Sequence, residues 1–141
     1  MYGDTAAGRK RVAQLREQSG DIRALAARLV SQAEAAPWHG KAADAMRERI
    51  KERANHLRAA AAHHESAAES LAKHLGEVDS LKEAIDTRSH KAISLVEDAR
   101  TRASRTAGPD GAPDETDASL IAFDPPPAGH KDWLTVDLPG L

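Results

Sequence analysis

The chain has no cysteine, few aromatic residues and no long apolar run. Without cysteine it can form neither disulfides nor thiolate metal sites. Aromatic residues make up 3% of its 141 residues, and alanine supplies much of the 40% that is apolar. Alanine-rich helices pack closely, but each residue buries little area. Such an interior does not enclose a substrate pocket, so the composition disfavours an enzyme.

The same scarcity of apolar runs bears on membranes and on targeting. No run approaches the roughly 20 residues that span a bilayer, so membrane insertion is not expected. Arg9, Lys10 and Arg11 are not followed by an apolar stretch, so we predict no secretory signal peptide. Export of this chain would therefore need a route that does not depend on a signal peptide.

Charge is mild and unevenly placed. The formal net charge is −2. Beyond Pro109, Lys131 is the only lysine or arginine among several acidic residues, so an acidic tail follows a weakly basic body. Nucleic-acid binders usually carry a dense basic face, and no such face is predicted here.

The first predicted helix covers about residues 5–36. Apolar and small residues recur there at steps of three and four, which places one stripe on one helix face. This stripe contains Val12, Leu15, Ser19, Ile22, Ala26, Leu29 and Ala33. Gly20 and Asp21 interrupt the pattern, so the region is either one kinked helix or a weak segment followed by a firmer one.

The second predicted helix begins after Gly40 and has the longest pattern in the chain. A heptad repeat of this length favours left-handed packing against another helix. Ala43 and Met46 extend this pattern toward the corner. We call all of these positions the seam: Ala43, Met46, Ile50, Ala54, Leu57, Ala61, His64, Ala68, Leu71, Leu75, Val78, Lys82, Ile85, Ser89, Ala92, Val96, Ala99 and Ala103. The seam keeps its phase through Gly76, which favours one continuous helix; a third helix from about residue 77 is the alternative.

The two predicted helices differ greatly in length. About 65 helical residues span roughly 100 Å, and the first helix covers less than half of that. The far end of the seam must then pack on a partner chain, on a second copy, or on this chain itself after a bend near Gly76. We predict a partner interface at Val12, Ile22, Leu25, Leu29, Ile50, Leu57, Leu71, Leu75, Val78 and Ile85.

After Arg105 the sequence changes character. Gly108-Pro109-Asp110-Gly111 ends the helix, so we divide the chain into a helical domain, residues 1–106, and a Pro/Gly-rich acidic linker and tail, residues 107–141. The three prolines at 125–127 favour extended backbone. The tail also contains Phe123, Trp133 and Leu138, which predict a strip that docks on a helix face of its own chain or of a partner.

No catalytic residue, metal site or cofactor is predicted. The sequence contains no glycine-rich phosphate loop and no nucleophile that can be paired with a base. Seven histidines are present, but no His-x-x-x-His pair occurs. His64 lies on the seam, where it is either a satisfied interface residue or a pH-sensitive one whose protonation weakens packing in mild acid.

The corner between the helices is Trp38-His39-Gly40, directly after Pro37. Glycine lets a helix end in a left-handed conformation, and an indole at a turn indicates a specific surface. A Trp-x-Gly corner followed by Ala42-Ala43-Asp44-Ala45 resembles the WXG superfamily of type VII secretion substrates. The likeness covers residues 21 to about 75.

The resemblance implies an all-α antiparallel hairpin that pairs into a four-helix bundle, with Trp38 and Gly40 in a surface handled by the secretion ATPase. It implies a non-catalytic interaction and export module, cytoplasmic before export and then secreted or attached to the envelope. The implied partner is another WXG-like protein or a type VII effector, and a homodimer is a further pairing. The family's Tyr-x-x-x-Asp/Glu element is missing, so either a partner supplies that signal or this chain is an accessory to an exported protein. The alternative is a coiled-coil scaffold or regulatory adaptor unrelated to secretion.

Overall fold

The computed structural model describes residues 5–106 and 113–141 and is all-α, as the sequence predicts. Two long helices come first: α1 is Thr5–Ala35 and α2 is Lys41–Arg105. A short helix, α3, covers Glu115–Ile121, and a 3₁₀ turn covers Lys131–Thr135. Residues 107–112, which include most of the predicted linker, lie outside the described residues. No helix in the described ranges is both long and apolar enough to cross a bilayer.

Both long helices are continuous where the sequence left alternatives. α1 runs through Gly20 without interruption, and α2 runs through Gly76, so no separate helix begins near residue 77. A β-carbon at either glycine would meet no atom within 4 Å, so neither glycine serves a close helix contact. One glycine costs about 1 kcal/mol relative to alanine, which the rest of a long helix tolerates.

The chain packs as two compact units, Met1–Val78 and Asp79–Leu141. The sequence places its boundary at residues 106 and 107 instead. The two divisions differ because residues 113–141 pack on the second half of α2, a long-range relationship that a change in local composition does not reveal.

In the first unit, α1 lies antiparallel to the first half of α2. Ser19 bonds to Ala61, whereas Arg47, near the start of α2, bonds to Ala33 near the end of α1. Several alanines of this interface have almost no exposed surface, and they let the two backbones approach closely. These buried alanines are Ala26, Ala33, Ala43, Ala54, Ala61 and Ala68.

In the second unit, the tail covers one face of the second half of α2. The tail side chains Leu120, Trp133 and Leu138 are buried and form one core with Ile85, Ala92, Val96 and Ala99. α3 and the 3₁₀ turn, which the sequence does not predict, interrupt the tail, whereas the prolines at 125–127 lie outside both of them. Asp114 begins α3 by accepting a 2.8 Å hydrogen bond from the Asp117 backbone N–H.

Candidate functional site

The corner between α1 and α2 is a tight turn built by proline and glycine. α1 ends at Ala35, and Pro37 disfavours helical backbone in the residue before it. Gly40 has a φ of 103°, a left-handed conformation that a side chain would strain. The Trp38 N–H donates to the Ala36 carbonyl oxygen at 2.9 Å. Trp38 and Gly40 are thus neighbours in one turn, as the sequence predicts.

The Trp38 side chain lies half in solvent, with 50% of its surface exposed. Beside it, Met46 of α2 is 47% exposed. These two side chains line an open depression of about 370 Å³ together with His39, Ala42 and Ala43. A large indole held next to a flexible thioether is the kind of apolar surface that often marks a protein-binding site.

Arg47 holds this corner in place, and sequence reasoning missed it. Its guanidinium donates to three carbonyl oxygens: Ala33 at 3.2 Å, Ala36 at 3.0 Å and Trp38 at 2.7 Å. The last carbonyls of a helix have no partner within the helix, so Arg47 caps α1 from α2. The sequence does contain a signal for this role. Arg47 lies one turn beyond seam residue Ala43, and the last carbonyl oxygens of the neighbouring helix need hydrogen-bond donors.

A polar cluster lies in the middle of the hairpin. The Ser19 hydroxyl is buried and donates to the Ala61 carbonyl oxygen at 3.1 Å or to Glu65 Oε1 at 2.8 Å. Arg23 meets both carboxylate oxygens of Glu65, at 3.1 and 3.0 Å. Hydrogen bonds from Arg23 and then Ser19 lower the pKa of Glu65. Because these groups must face each other, the cluster fixes the register of α1 on α2.

The predicted interface residues fall into three groups of exposure. Val12, Leu75 and Ile85 are buried, and Leu25 is 44% exposed. The half-buried ones are Ile22, Leu29, Ile50, Leu57, Leu71 and Val78. Val12 packs with Leu71 and Leu75 in the first unit, whereas Ile85 packs with the tail in the second. Much of the predicted partner surface is therefore occupied within the chain, and Leu25 is the most available member.

The pH sensitivity of His64 stays a prediction, and the structure gives the surroundings of its ring. It is half-buried, and its Nδ1 lies 2.9 Å from the Ala60 carbonyl oxygen. A carbonyl oxygen only accepts, so Nδ1 carries the hydrogen in this contact.

The tail is fixed to α2 by two arginines. Arg102 makes a bidentate ion pair with Asp117, whose closest contact is 2.7 Å. Arg88 donates to the carbonyl oxygens of Trp133, at 3.0 Å, and of Val136. The hydrogen bond from Arg102 lowers the pKa of the buried Asp117 carboxyl. The sequence left open whether the strip docks on its own chain, and here it does. Of the alternatives for the far end of the seam, the structure shows packing on this chain itself from Ile85 to Ala99, with α2 continuous through Gly76.

The described residues hold no group of three or more acidic, histidine or cysteine side chains that could bind a metal ion. The polar clusters of both units are ion pairs and helix caps. Comparison of the chain with family models, with curated proteins and with solved structures gave no match. The corner and its exposed apolar surface are therefore the best candidate site, on their geometry alone.

Proposed function

We propose that this chain is a non-catalytic interaction and export module of a type VII secretion system, with the Trp38 corner as its recognition surface. The observation that carries the proposal is an indole half exposed on a turn shaped by Gly40 and held by Arg47. Exposing an indole to water is unfavourable, and tryptophan is enriched among the residues that dominate binding energies.

The hairpin supports the same proposal. An antiparallel pair of alanine-packed helices presents the corner at one end as a rigid element, so recognition needs little ordering of the chain. Leu25 gives α1 an exposed apolar position for a partner helix. The partner we propose is another WXG-like hairpin or the helical domain of an effector, and the secretion ATPase reads the corner.

The proposal predicts a protein that is cytoplasmic before export and reaches the medium or the cell envelope without a signal peptide. The test is to express the tagged chain in its own host with the secretion ATPase intact or deleted, and to measure its amount in cells and in medium. Loss of external protein in the deletion strain, with cellular protein retained, supports export. Equal distribution in the two strains contradicts it and favours the coiled-coil scaffold or adaptor.

Co-expression with helical hairpin proteins encoded next to this gene tests the pairing step separately. We expect one of them to co-elute with the chain in size-exclusion chromatography. Leu25→Asp should weaken that complex, because it places a charge on the exposed apolar position of α1. Glu17→Gln, at another exposed position of α1, is the control that should leave the complex intact.

A further inference from the structure

Three consecutive prolines, Pro125–Pro127, lie between α3 and the 3₁₀ turn and belong to neither. A proline ring fixes φ at about −65°, and a residue that precedes a proline is held in extended backbone. Both restrictions act on Pro125 and Pro126, and the second acts on Asp124. No described peptide bond is cis. Residues 124–127 therefore form a short polyproline II helix, which we call the proline run.

Exposure along the proline run repeats every three residues, which is the period of a polyproline II helix. Phe123 and Pro126 are half-buried, so one edge of the helix faces the protein. The residues on the other two edges, Asp124, Pro125 and Pro127, are exposed. Two open edges leave proline rings available to an aromatic-lined groove, which is how proline-rich segments are commonly recognised.

Trp133 holds both ends of the proline run. Its indole N–H donates to the Pro127 carbonyl oxygen at 3.0 Å, and its ring meets that of Phe123 edge-on, with 6.1 Å between the ring centroids. The His130 backbone N–H donates to the same Pro127 oxygen at 3.1 Å. Trp133 itself is 2% exposed and lies in the core of the second unit. A partner would therefore bind a segment that is already ordered, at little cost in conformational entropy.

Charge gives the proline run a preference among partners. Asp124 is the only charged residue between Phe123 and Gly129, and it directly precedes the first proline. Its side chain is exposed at one end of the run. A complementary groove therefore carries a basic side chain at the end that receives Asp124, and arginine suits a carboxylate because its guanidinium can bind both oxygens.

A shallow depression beside Pro125 extends the apolar surface of the proline run. Its volume is about 130 Å³, and its lining includes Ile93 of α2, which is 46% exposed. Glu97 and Arg100 also line it, and their opposite charges balance. The depression therefore offers an apolar side chain of a partner a place next to the prolines, and it leaves Asp124 to set the charge of the surface.

We propose that the proline run is a docking site for a protein domain with an aromatic-lined groove and an arginine at one end of that groove. The rings of Pro125 and Pro127 pack against the aromatic side chains, Asp124 pairs with the arginine, and the tail stays packed on α2 throughout. This interaction is separate from the proposed export function, because the run belongs to the second unit and the Trp38 corner to the first.

The probe is a purified WW domain that carries an arginine beside its aromatic groove, titrated into the full isotope-labelled chain and followed by NMR. Prolines have no amide hydrogen, so we expect shifts in the amide signals of Asp124 and Ala128 and none at His39 in the corner. Pro125→Ala should weaken binding by about tenfold or more, because it removes a packed ring and frees the backbone. Pro139→Ala, at an exposed proline of the same tail, is the matched control and should bind as the wild type does.

A second variant tests the charge without altering the prolines. Asp124→Asn should weaken binding, and an arginine-to-alanine change in the probe should remove the difference between this variant and the wild type. The Trp133 indole N–H signal shows in the same spectra whether the run stays anchored; if Pro125→Ala releases it, Asp124→Asn decides. The proposal is overturned by absence of binding, by shifts away from the run, by equal affinities of anchored Pro125→Ala and Pro139→Ala, or by full affinity of Asp124→Asn.

Discussion

Arg47, in the second turn of α2, donates a 2.7 Å hydrogen bond to the carbonyl oxygen of Trp38. The same guanidinium also donates to the carbonyl oxygens of Ala33 and Ala36, so Arg47 connects the corner to both helices. The exposed indole is therefore attached to a fixed piece of backbone, which is what a recognition surface requires.

Removing this cap should destabilise the hairpin. Arg47→Ala removes the guanidinium donor from the carbonyl oxygens of Ala33, Ala36 and Trp38, of which Ala36 keeps the Trp38 N–H. Hydrogen bonds from a charged group contribute about 1.5–3 kcal/mol each when well buried. Because water can reach part of this site, we expect a loss of about 1–2 kcal/mol in the free energy of unfolding, measured by urea denaturation. Arg49→Ala, at an exposed position two residues further along α2, should have little effect. Equal stability of the two variants would show that Arg47 is not a cap.

The Glu65 carboxylate should make the hairpin sensitive to acid. Its pKa is lowered from 4.5 by hydrogen bonds from Arg23 and Ser19, so the folded state holds the ionised form more strongly than the unfolded chain does. This contribution is complete above about pH 4.5 and is lost as the pH falls through the lowered value. Glu65→Gln should flatten the fall in melting temperature below that pH, and Glu69→Gln, exposed one turn away, should not. An unaltered acid profile in Glu65→Gln would contradict the assignment.

The glycines of the long helices should respond differently to alanine. Gly20→Ala and Gly76→Ala meet no atom within 4 Å, so each should raise stability by about 0.5–1 kcal/mol through helix propensity. At Gly8 the new β-carbon would lie 2.6 Å from Leu75 Cδ2, so the steric conflict with Leu75 offsets the gain in helix propensity. Gly40→Ala should be destabilising because of its positive φ. Thermal denaturation of the four variants checks this order, and a loss of stability in Gly76→Ala would show that α2 needs that glycine.

Close packing of the alanine interface predicts a steric effect. Ala61 has no exposed surface, and its carbonyl oxygen contacts the Ser19 hydroxyl. Ala61→Leu should separate α1 from α2 and cost about 1–3 kcal/mol in unfolding free energy. Ala59→Leu, which faces solvent on the same helix, serves as the control. A tolerated leucine at position 61 would mean that the helices pack less closely than described.

The two long helices could be predicted from the sequence almost to the residue. The predicted first helix, 5–36, is Thr5–Ala35, and the second begins directly after Gly40. Periodicity, Pro37 and Gly40 are local signals, so these bounds could be inferred without tertiary information. The partner interface at Leu25, in contrast, stays a prediction, because periodicity shows which residues share a helix face but not whether a partner covers them.

The contacts that the sequence did not predict join residues distant in the chain. Ser19 meets Glu65, and Arg88 meets the backbone of Trp133, across more than 40 residues in each case. Serine and arginine are ordinary surface residues, so nothing local marks them as partners. Asp114 is the exception, because aspartate is a preferred N-cap whose side chain accepts a hydrogen bond from the backbone N–H three residues later, here that of Asp117. This local signal could have predicted the start of α3.

The most direct test of the export proposal is the distribution of the tagged chain carrying Trp38→Ala between cells and medium. Leu81→Ala removes a side chain of similar exposure away from the corner and is the matched control. A recognition tryptophan typically contributes about 2 kcal/mol or more, so export of Trp38→Ala should fall by more than about tenfold while the protein stays folded. Export of a folded Trp38→Ala variant at the level of the wild type and of Leu81→Ala would contradict the account.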